Sequence, residues 1–134
     1  MAADALVQRV RCCAAWQGNS KPPRVHAIIN PTSGRGSAAR AFQRSVAPLL
    51  EDAAGFVVTC THTSHAGHAA ELVASLDIGS AELLLLVGGD GTVHEALQGL
   101  LNRPDWDVAR TLPLVHVPGG SGNGLAHSCG LQVC

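Results

Sequence analysis

This sequence has few aromatic residues and no surplus of charge of either sign. Among its 134 residues there is no tyrosine and only 3% are aromatic, and 9 basic residues stand against 10 acidic ones for a net charge of −1. Single-stranded nucleic acids are bound by aromatic stacking in basic grooves. The composition therefore predicts no nucleic-acid partner. With 46% hydrophobic and 14% charged residues, the chain is expected to fold as one domain.

Paired cysteines and long apolar runs are absent as well. The five thiols are odd in number and include no C-x-x-C pair, which predicts neither a disulfide framework nor a zinc site. The aliphatic run at residues 83–87 is far too short to cross a bilayer, and the N-terminus lacks a charged region followed by an apolar stretch. A reducing compartment, and so the cytoplasm, is the expected location.

Strand-like and helix-like segments alternate four times along the chain. Residues 1–23 are weakly patterned and end in two prolines, which predicts a poorly ordered leader followed by a domain at residues 24–134. Four strands are predicted, at residues 25–29, 56–61, 83–87 and 112–117. The third is continuously aliphatic, as strands buried on both faces are. The alternation predicts βαβ units and a three-layer α/β fold with a parallel sheet.

The helices between the strands are predicted from apolar residues at helical spacing. The first extends through Leu50, and Pro48 is expected to kink or end it. Thr63 or Ser64 is predicted to cap the second helix. The apolar face of the second helix consists of Ala69, Leu72, Val73 and Leu76. That of the third helix consists of Val93, Ala96, Leu97, Leu100 and Leu101. A last helix is expected to begin near Leu125.

Three of the predicted strands run directly into glycine-rich loops, at residues 32–37, 88–91 and 119–124. Glycine lets backbone N–H groups approach phosphate oxygens, and a helix N-terminus adds unpaired donors. Because the carboxyl ends of parallel strands share one edge of a sheet, the loops are expected to converge on a polyphosphate. Neither G-x-x-x-x-G-K-[ST] nor a complete G-x-G-x-x-G is present, which disfavours a P-loop NTPase and a standard NAD-binding domain.

Asp90, between two glycines of the second loop, has two interpretations. An aspartate at a strand-to-helix junction commonly caps a helix or turn. Beside a phosphate, the same carboxylate can accept a hydroxyl proton or hold magnesium. Glu95 follows Thr92 by three residues, the spacing of a capping box, so a structural role is expected for it.

Histidines recur in the sequence without forming the pattern of a metal site. His62, His65 and His68 are spaced by three residues but cross a predicted strand, loop and helix, so they need not share a face. His94 begins an H-E-x-x-H motif, but Gln98 stands where the second histidine is required. The sequence therefore predicts no metal site built from these residues.

Four segments resemble the diacylglycerol kinase catalytic-domain superfamily, and within it the sphingosine kinases. They are INPTSGRG at residues 29–36, THTSHAGHAAELV at residues 61–73, VGGDGTVHEALQGLLNRPDW at residues 87–106 and VPGGSGNGLAHS at residues 117–128. GGDGT alone is shared with NAD kinases, whereas GGDGT followed by RPDW and PGGSGNGLA is highly specific. The resemblance implies ATP-dependent phosphorylation of a lipid hydroxyl with Mg²⁺, and the primary hydroxyl of a sphingoid base is the expected acceptor.

The resemblance also implies roles for individual residues. Asp90 matches the superfamily's proposed general base. Nucleotide contacts are implied for Asn30, Pro31, Thr32, Thr63, Ser64, His65, Ala66, Gly67, Gly88, Gly89, Gly91, Glu95, Gly120, Ser121, Gly122 and Asn123. Sphingosine kinases often carry other residues at the positions of Gly88 and Thr92, where this chain is closer to the wider superfamily.

Members of the superfamily continue into a second, β-rich domain that carries much of the lipid site. This sequence contains no such domain, so the chain is expected to be the ATP-binding half of a lipid kinase, with little or no activity by itself. The alternatives are diacylglycerol or ceramide as the acceptor, a non-catalytic nucleotide-binding module, and an NAD kinase. Transient contact with the membrane is expected because the lipid substrate would lie there.

Overall fold

A computed structural model describes residues 21–130 of the chain. Its sheet consists of β1 (Arg24–Ile29), β2 (Val57–His62), β3 (Leu83–Gly88) and β4 (Leu114–Pro118). The α-helices in this range are α1 (Ser37–Ala41), α2 (His68–Ser75), α3 (Asp90–Leu101), α4 (Trp106–Ala109) and α5 (Gly124–Ser128). Short 3₁₀ turns cover Ser33–Gly36 and Ile78–Ser80. Most of the predicted leader lies outside the described residues, and no helix within them is long and apolar enough to span a bilayer.

The four strands are parallel and lie in the order β2-β1-β3-β4. All six residues of β3 are buried, which confirms the prediction drawn from its aliphatic run. β2 begins one residue later than predicted because the N–H of Phe56 donates to Leu50 O (2.8 Å). β4 begins two residues later than predicted because the N–H of Leu112 donates to Ala109 O (3.0 Å).

Helices cover both faces of the sheet, so the predicted three-layer α/β fold is confirmed. On one face, alternate residues of β1 and β3 pack against Ala38, Phe42 and Leu50 from the helical segment that follows β1. On the other face, the intervening strand residues pack against α2 and α3. Side chains alternate between the two faces of a strand, and this alternation divides the apolar residues of β1 and β3 between the two cores.

Pro48, which was expected to kink or end the helical segment after β1, does not end it, but the segment is irregular on both sides of the proline. α1 is followed by π-helical turns at Phe42–Val46 and Leu49–Ala53, one on either side of the proline. Proline has no N–H group and removes one hydrogen bond to the residue four positions earlier. The helical turns on either side of Pro48 are wider than those of an α-helix, and the N–H of Ala47 donates to the carbonyl of Phe42, five residues earlier.

The beginning of α2 also differs from the prediction. The helix starts at His68, and Gly67 occupies the capping position in the left-handed region at φ 86°. Capping by Thr63 or Ser64 was a wrong prediction, because Ser64 is engaged elsewhere: its N–H and Oγ lie 3.0 and 3.1 Å from Nδ1 of His68.

The apolar face predicted for α3 is only partly buried. Val93 and Ala96 lie in the core, but Leu97 and Leu101 are 40% and 58% exposed. The helix turns Gly99 inward instead, against the backbone of α2. A Cβ on Gly99 would lie 2.9 Å from the Cα of Ala70, so the two helices approach backbone to backbone at this point.

Gly99→Ala is expected to lower the free energy of unfolding by about 1–2 kcal/mol. The methyl group would meet helix backbone that cannot move aside, so its cost should fall near the upper end of the about 1–3 kcal/mol typical of overpacking. Alanine normally returns about 1 kcal/mol of this cost in a helix interior. Gln98→Ala, at the exposed neighbouring position, is the control and should stay within about 0.5 kcal/mol of the unsubstituted chain. Urea unfolding followed by circular dichroism measures both. A Gly99→Ala variant of unchanged or raised stability would contradict the close packing of α2 and α3.

Candidate active site

Three neighbouring strands bring their glycine loops to one edge of the sheet. β1, β3 and β4 are adjacent and parallel, so the loops that follow them meet. The N–H of Gly119 donates to Gly88 O (2.9 Å). Gly120 and Gly89 lie backbone against backbone, since a Cβ on Gly120 would be 2.5 Å from the Cα of Gly89. The predicted convergence of the three loops is confirmed.

A cleft made of two contiguous cavities opens at this edge. The loop cavity, of about 520 Å³, lies between the three glycine loops. The side cavity, of about 430 Å³, lies between the loop after β1, the loop after β2 and α3. Asn30, Thr32 and Thr92 line both cavities and form the wall between them. Each cavity falls in the size range of small-molecule sites.

Most residues singled out from the sequence line this cleft. Asp90, Gly89, Gly91, Gly120, Ser121 and Gly122 line the loop cavity. Pro31, Thr63, Ser64, His65, Ala66 and Glu95 line the side cavity. Asn30 and Thr32, which were also singled out from the sequence, line both cavities. Residues from well-separated stretches of the chain therefore meet in one cleft.

Gly67, Gly88 and Asn123 line neither cavity. Gly67 precedes α2, and Gly88 ends β3, where its carbonyl accepts from Gly119 N–H and from Nε2 of His116 (2.9 Å each). The side chain of Asn123 closes the third loop on itself, because its Oδ1 accepts from Gly120 N–H (3.1 Å) and its Nδ2 donates to Gly120 O (2.9 Å). Gly88 and Asn123 thus hold the glycine loops in place by hydrogen bonds without lining either cavity.

Four residues that line the loop cavity were not singled out from the sequence, although the first three belong to the predicted loop at residues 32–37: Ser33, Gly34, Arg35 and Thr92. Arg35 is the one cationic side chain lining either cavity among the described residues. It has φ 56°, a left-handed conformation that costs a residue with a Cβ roughly 1–2 kcal/mol. Its flanking glycines, Gly34 and Gly36, are also left-handed. The Gly-Arg-Gly sequence could have indicated Arg35 as a site residue, because left-handed residues with a side chain are often found at functional sites.

Asp90 is exposed at the first position of α3, and its carboxylate reaches across to α5. Oδ2 accepts from Gly124 N–H (2.8 Å) and Oδ1 from Leu125 N–H (3.2 Å). These two hydrogen bonds, with smaller contributions from His116 and His127, hold the pKa of Asp90 below its ordinary value. The carboxylate therefore caps α5 rather than the helix it begins, and it also lines the loop cavity.

Asn30 links the loop after β1 to α3. Its Oδ1 accepts the N–H (3.0 Å) and the hydroxyl (2.8 Å) of Thr32, and its Nδ2 donates to Thr92 Oγ1 (3.2 Å). The capping-box interpretation of Thr92 and Glu95 was wrong, because α3 begins at Asp90 and its cap is Gly89. Glu95 is half-buried in the side cavity instead.

The histidines near the side cavity interact more closely than the sequence suggested. The rings of His65 and His68 stack with centroids 4.6 Å apart, and Ser64 Oγ lies 3.0 and 3.1 Å from their Nδ1 atoms. Nε2 of His65 is 3.2 Å from Oε1 of Glu71. His62 belongs to β2. Among residues 21–130, no three His, Cys, Asp or Glu side chains are arranged to hold a metal ion.

A parallel sheet with paired glycine loops and a carboxylate at its carboxyl edge is characteristic of α/β domains that bind phosphorylated ligands. The family model of the diacylglycerol kinase catalytic domain matches residues 24–133. The chain belongs to this family.

Several curated relatives carry the name sphingosine kinase. Sphingosine kinase 1 of Rattus norvegicus is 44% identical over 109 residues, and sphingosine kinase 1 of Arabidopsis thaliana is 39% identical over 108 residues. Each alignment covers 81% of this chain but only 28% and 22% of the relative. A solved structure, named as a putative diacylglycerol kinase from Bacillus anthracis str. Sterne, superposes with a TM-score of 0.65 at 29% identity, covering 85% of this chain and 36% of that one. The chain thus spans about a quarter to a third of the length of these proteins.

Proposed function

We propose that the described residues form the ATP-binding part of a lipid kinase, with Asp90 as its catalytic carboxylate. The contact between the loops after β3 and β4 supports this proposal most strongly. Asp90 and the glycine backbone of these loops line the same cavity beside that contact. Exposed N–H groups of such loops bind phosphate oxygens, and phosphoryl transfer depends mainly on this positioning and on neutralising charge.

The two cavities suggest how ATP lies in the cleft. The loop cavity offers glycine backbone, the N-terminus of α3 and the guanidinium of Arg35, all of which favour the phosphates. The side cavity offers hydroxyls and the carboxylate of Glu95, groups that hydrogen-bond sugar hydroxyls rather than phosphates. The nucleoside therefore occupies the side cavity and the triphosphate the loop cavity.

The position of Asp90 suits transfer to a hydroxyl acceptor. As the acceptor oxygen bonds to the γ-phosphorus, the bond from that phosphorus to the β–γ bridging oxygen breaks and ADP leaves. The acceptor's proton passes to the carboxylate of Asp90. The lowered pKa makes Asp90 a weak base, which is sufficient because the hydroxyl needs little activation in a loose phosphoryl-transfer transition state.

The residues also fit Mg²⁺, which usually binds through one or two carboxylates together with substrate phosphates and water. Asp90 is the carboxylate that lines the loop cavity, and it keeps free lone pairs beside its two hydrogen bonds. An ion held there would neutralise charge that develops on the phosphates.

A sphingoid base is the proposed acceptor, and its support is the name shared by the relatives from rat and Arabidopsis. Diacylglycerol is the second candidate, supported by the family match and by the name of the Bacillus anthracis protein. A cytoplasmic location stays a prediction from the cysteine pattern, and transient contact with the membrane follows from a lipid acceptor. The division of the chain into a leader at residues 1–23 and a catalytic-domain part at residues 24–134 belongs to the same proposal.

A chimaera tests the ATP-binding and catalytic parts of the proposal, because the rat protein supplies the rest of the lipid site. Residues of this chain replace the 109-residue stretch of rat sphingosine kinase 1 to which they align, and transfer from [γ-³²P]ATP with Mg²⁺ is measured for sphingosine, diacylglycerol and NAD. Phosphorylated sphingosine is the expected product. Transfer to NAD alone, or a folded chimaera that does not bind ATP, would contradict the proposal.

Arg35→Asn should weaken ATP binding without harming the fold. Asparagine tolerates left-handed backbone better than arginine, so stability is expected to stay equal or rise by up to about 1 kcal/mol. Loss of the guanidinium should raise the Kd for ATP roughly threefold to tenfold, the effect of one charge-assisted hydrogen bond. Isothermal titration calorimetry and thermal melting measure the two effects, with Arg44→Asn, at an exposed site outside the cleft, as the control. Unchanged ATP affinity in Arg35→Asn would remove Arg35 from the phosphate site.

A further inference from the structure

The hydrogen bond between Ser64 and His68 requires an unprotonated ring nitrogen. The N–H of Ser64 can only donate, and it points at Nδ1 of His68 (3.0 Å). Nδ1 therefore carries a lone pair rather than a proton. A cationic His68 ring bears N–H groups on both nitrogens, so two donors would face each other and the bond would be lost.

His65, the neighbouring histidine, accommodates a proton without losing a partner. Its Nε2 lies 3.2 Å from Oε1 of Glu71, and its Nδ1 lies 3.0 Å from Oγ of Ser64. A carboxylate and a hydroxyl oxygen can both accept, so a cationic His65 donates to both. The Ser64 hydroxyl then donates to Nδ1 of His68 (3.1 Å). The cluster thus has room for a proton on His65 but for none on Nδ1 of His68.

The stacking of the two rings also opposes a second proton. The rings of His65 and His68 lie with centroids 4.6 Å apart and planes 11° from parallel. Two imidazolium charges at this separation repel each other. Protonation of His68 therefore breaks its bond with Ser64 and, when His65 is cationic as well, pushes the two rings apart.

The loop after β2 depends on the bond between Ser64 and His68 for its position. At one end of the loop the N–H of Thr63 donates to Ile29 O (2.9 Å), and at the other end Gly67 caps α2. The loop residues that line the side cavity are Thr63, Ser64, His65 and Ala66. The bond from Ser64 joins this lining to the half-buried first residue of α2, His68. Its loss releases one wall of the cavity.

We infer that His68 is a pH-sensitive switch of the nucleotide site, whose protonation frees Ser64, opens the loop after β2 and weakens binding in the side cavity. Histidine is the side chain that ordinarily changes charge between about pH 5 and about pH 8, so the affinity falls as the medium becomes acidic. The inference rests on the proposed function, which assigns the nucleoside to the side cavity, and it adds regulation by pH to that site.

Other titratable groups belong to the elements around His68, and the test must separate their effects from its own. They are Glu71 on α2 itself, Glu95 on α3, His26 on β1 and His62 on β2. Glu95 lines the side cavity together with His65, and Nε2 of His26 lies 3.2 Å from Oγ1 of Thr61. At the far end of α2, Arg103 is cationic throughout this range. Substitution of His68 alone therefore identifies the group responsible.

The test measures the Kd of adenosine by calorimetry at about pH 7.5 and about pH 5.5, two values between which histidine changes charge and adenosine does not. In the unsubstituted chain the Kd should rise about fivefold to tenfold at the lower pH, the effect of one lost hydrogen bond with repulsion between two like charges. Asparagine offers Oδ1 in place of Nδ1 and does not titrate, so His68→Asn should stay within about twofold of the original affinity at both pH values. His94→Asn, at an exposed position of α3, is the matched control and should keep the pH dependence.

A second measurement uses the chain without ligand. In two-dimensional ¹H–¹⁵N NMR, the amide signal of Ser64 should titrate with the same midpoint as the ring signals of His68, because the two groups share a hydrogen bond.

Each result bears on the inference. A Kd for adenosine that is equal at both pH values in the unsubstituted chain would overturn it while leaving the proposed function intact. The same pH dependence in His68→Asn would also overturn it, because another group would then be responsible. If the unsubstituted chain bound no adenosine at either pH, the proposed function would be contradicted, and a Ser64 amide that does not titrate with His68 would separately overturn the switch.

Discussion

Asp90→Asn is expected to reduce phosphoryl transfer about 10²–10⁴-fold in the chimaera with rat sphingosine kinase 1, while the Kd for ATP measured without Mg²⁺ changes by less than about threefold. Asparagine cannot take the acceptor's proton, but its one carbonyl oxygen can still accept from either Gly124 or Leu125. Asp90→Ala removes both hydrogen bonds and should lower the melting temperature more than Asp90→Asn. Activity in Asp90→Asn equal to that of the unsubstituted chimaera would exclude Asp90 as the catalytic carboxylate.

The pH dependence of the same enzyme tests the lowered pKa of Asp90. Because its folded-state pKa lies below the ordinary value, Asp90 is ionised throughout the neutral and mildly acidic range. Its contribution to stability is present above the pKa of the unfolded chain and is lost only as the pH falls through the lower folded-state pKa. Between about pH 5 and about pH 8, no loss of rate should therefore arise from protonation of Asp90. An acid limb in this range that disappears in Asp90→Asn would contradict the lowered pKa.

Gly120→Ala is expected to abolish ATP binding, raising the Kd by at least about 100-fold. The added Cβ would lie 2.5 Å from the Cα of Gly89 and 3.0 Å from its N, so the loops after β3 and β4 must separate. Both loops then lose the arrangement of backbone donors that the phosphates require. The energy of this overpacking, about 1–3 kcal/mol, should also appear as reduced stability.

Gly79→Ala is the matched control for Gly120→Ala. A Cβ at Gly79 would meet only Oδ1 of Asp77, at an ordinary contact distance of 3.4 Å, in a turn that precedes β3 and therefore lies away from the carboxyl edge of the sheet. This variant should bind ATP with unchanged affinity. If Gly120→Ala bound ATP as well as Gly79→Ala does, the contact between the two glycine loops would not be needed for the site.

The elements that were predictable from sequence are those whose signals are local. The aliphatic run of β3 and the alternation of strands with helices specify the buried parallel sheet, and the loop glycines specify the edge at which the cleft opens. The start of α2 was not predictable because Gly67 takes a left-handed conformation there. The capping box of Thr92 and Glu95 is a local pattern that fails because α3 begins earlier, at Asp90, with Gly89 as its cap.

Other features depend on contacts between residues far apart in the chain. Asp90 reaches Gly124 across 34 positions, and Gly99 is buried only because α2 packs against it. The RPDW segment contributed to the resemblance but lies outside the cleft: Nη1 of Arg103 donates to the carbonyl of Val73 and its neighbours at the end of α2. A motif shared with the superfamily thus stabilises a helix end here.

The proposal that the converging glycine loops form an ATP site is tested most directly by two-dimensional ¹H–¹⁵N NMR of the chain during titration with ATP and Mg²⁺. The amide signals of Gly89, Gly91, Gly120 and Gly122 should shift together and saturate at a single Kd, while those of Gly79 and Gly130 should not move. Shifts confined to residues outside the loop cavity and the side cavity, or no saturable shift at all, would contradict an ATP site at this edge of the sheet.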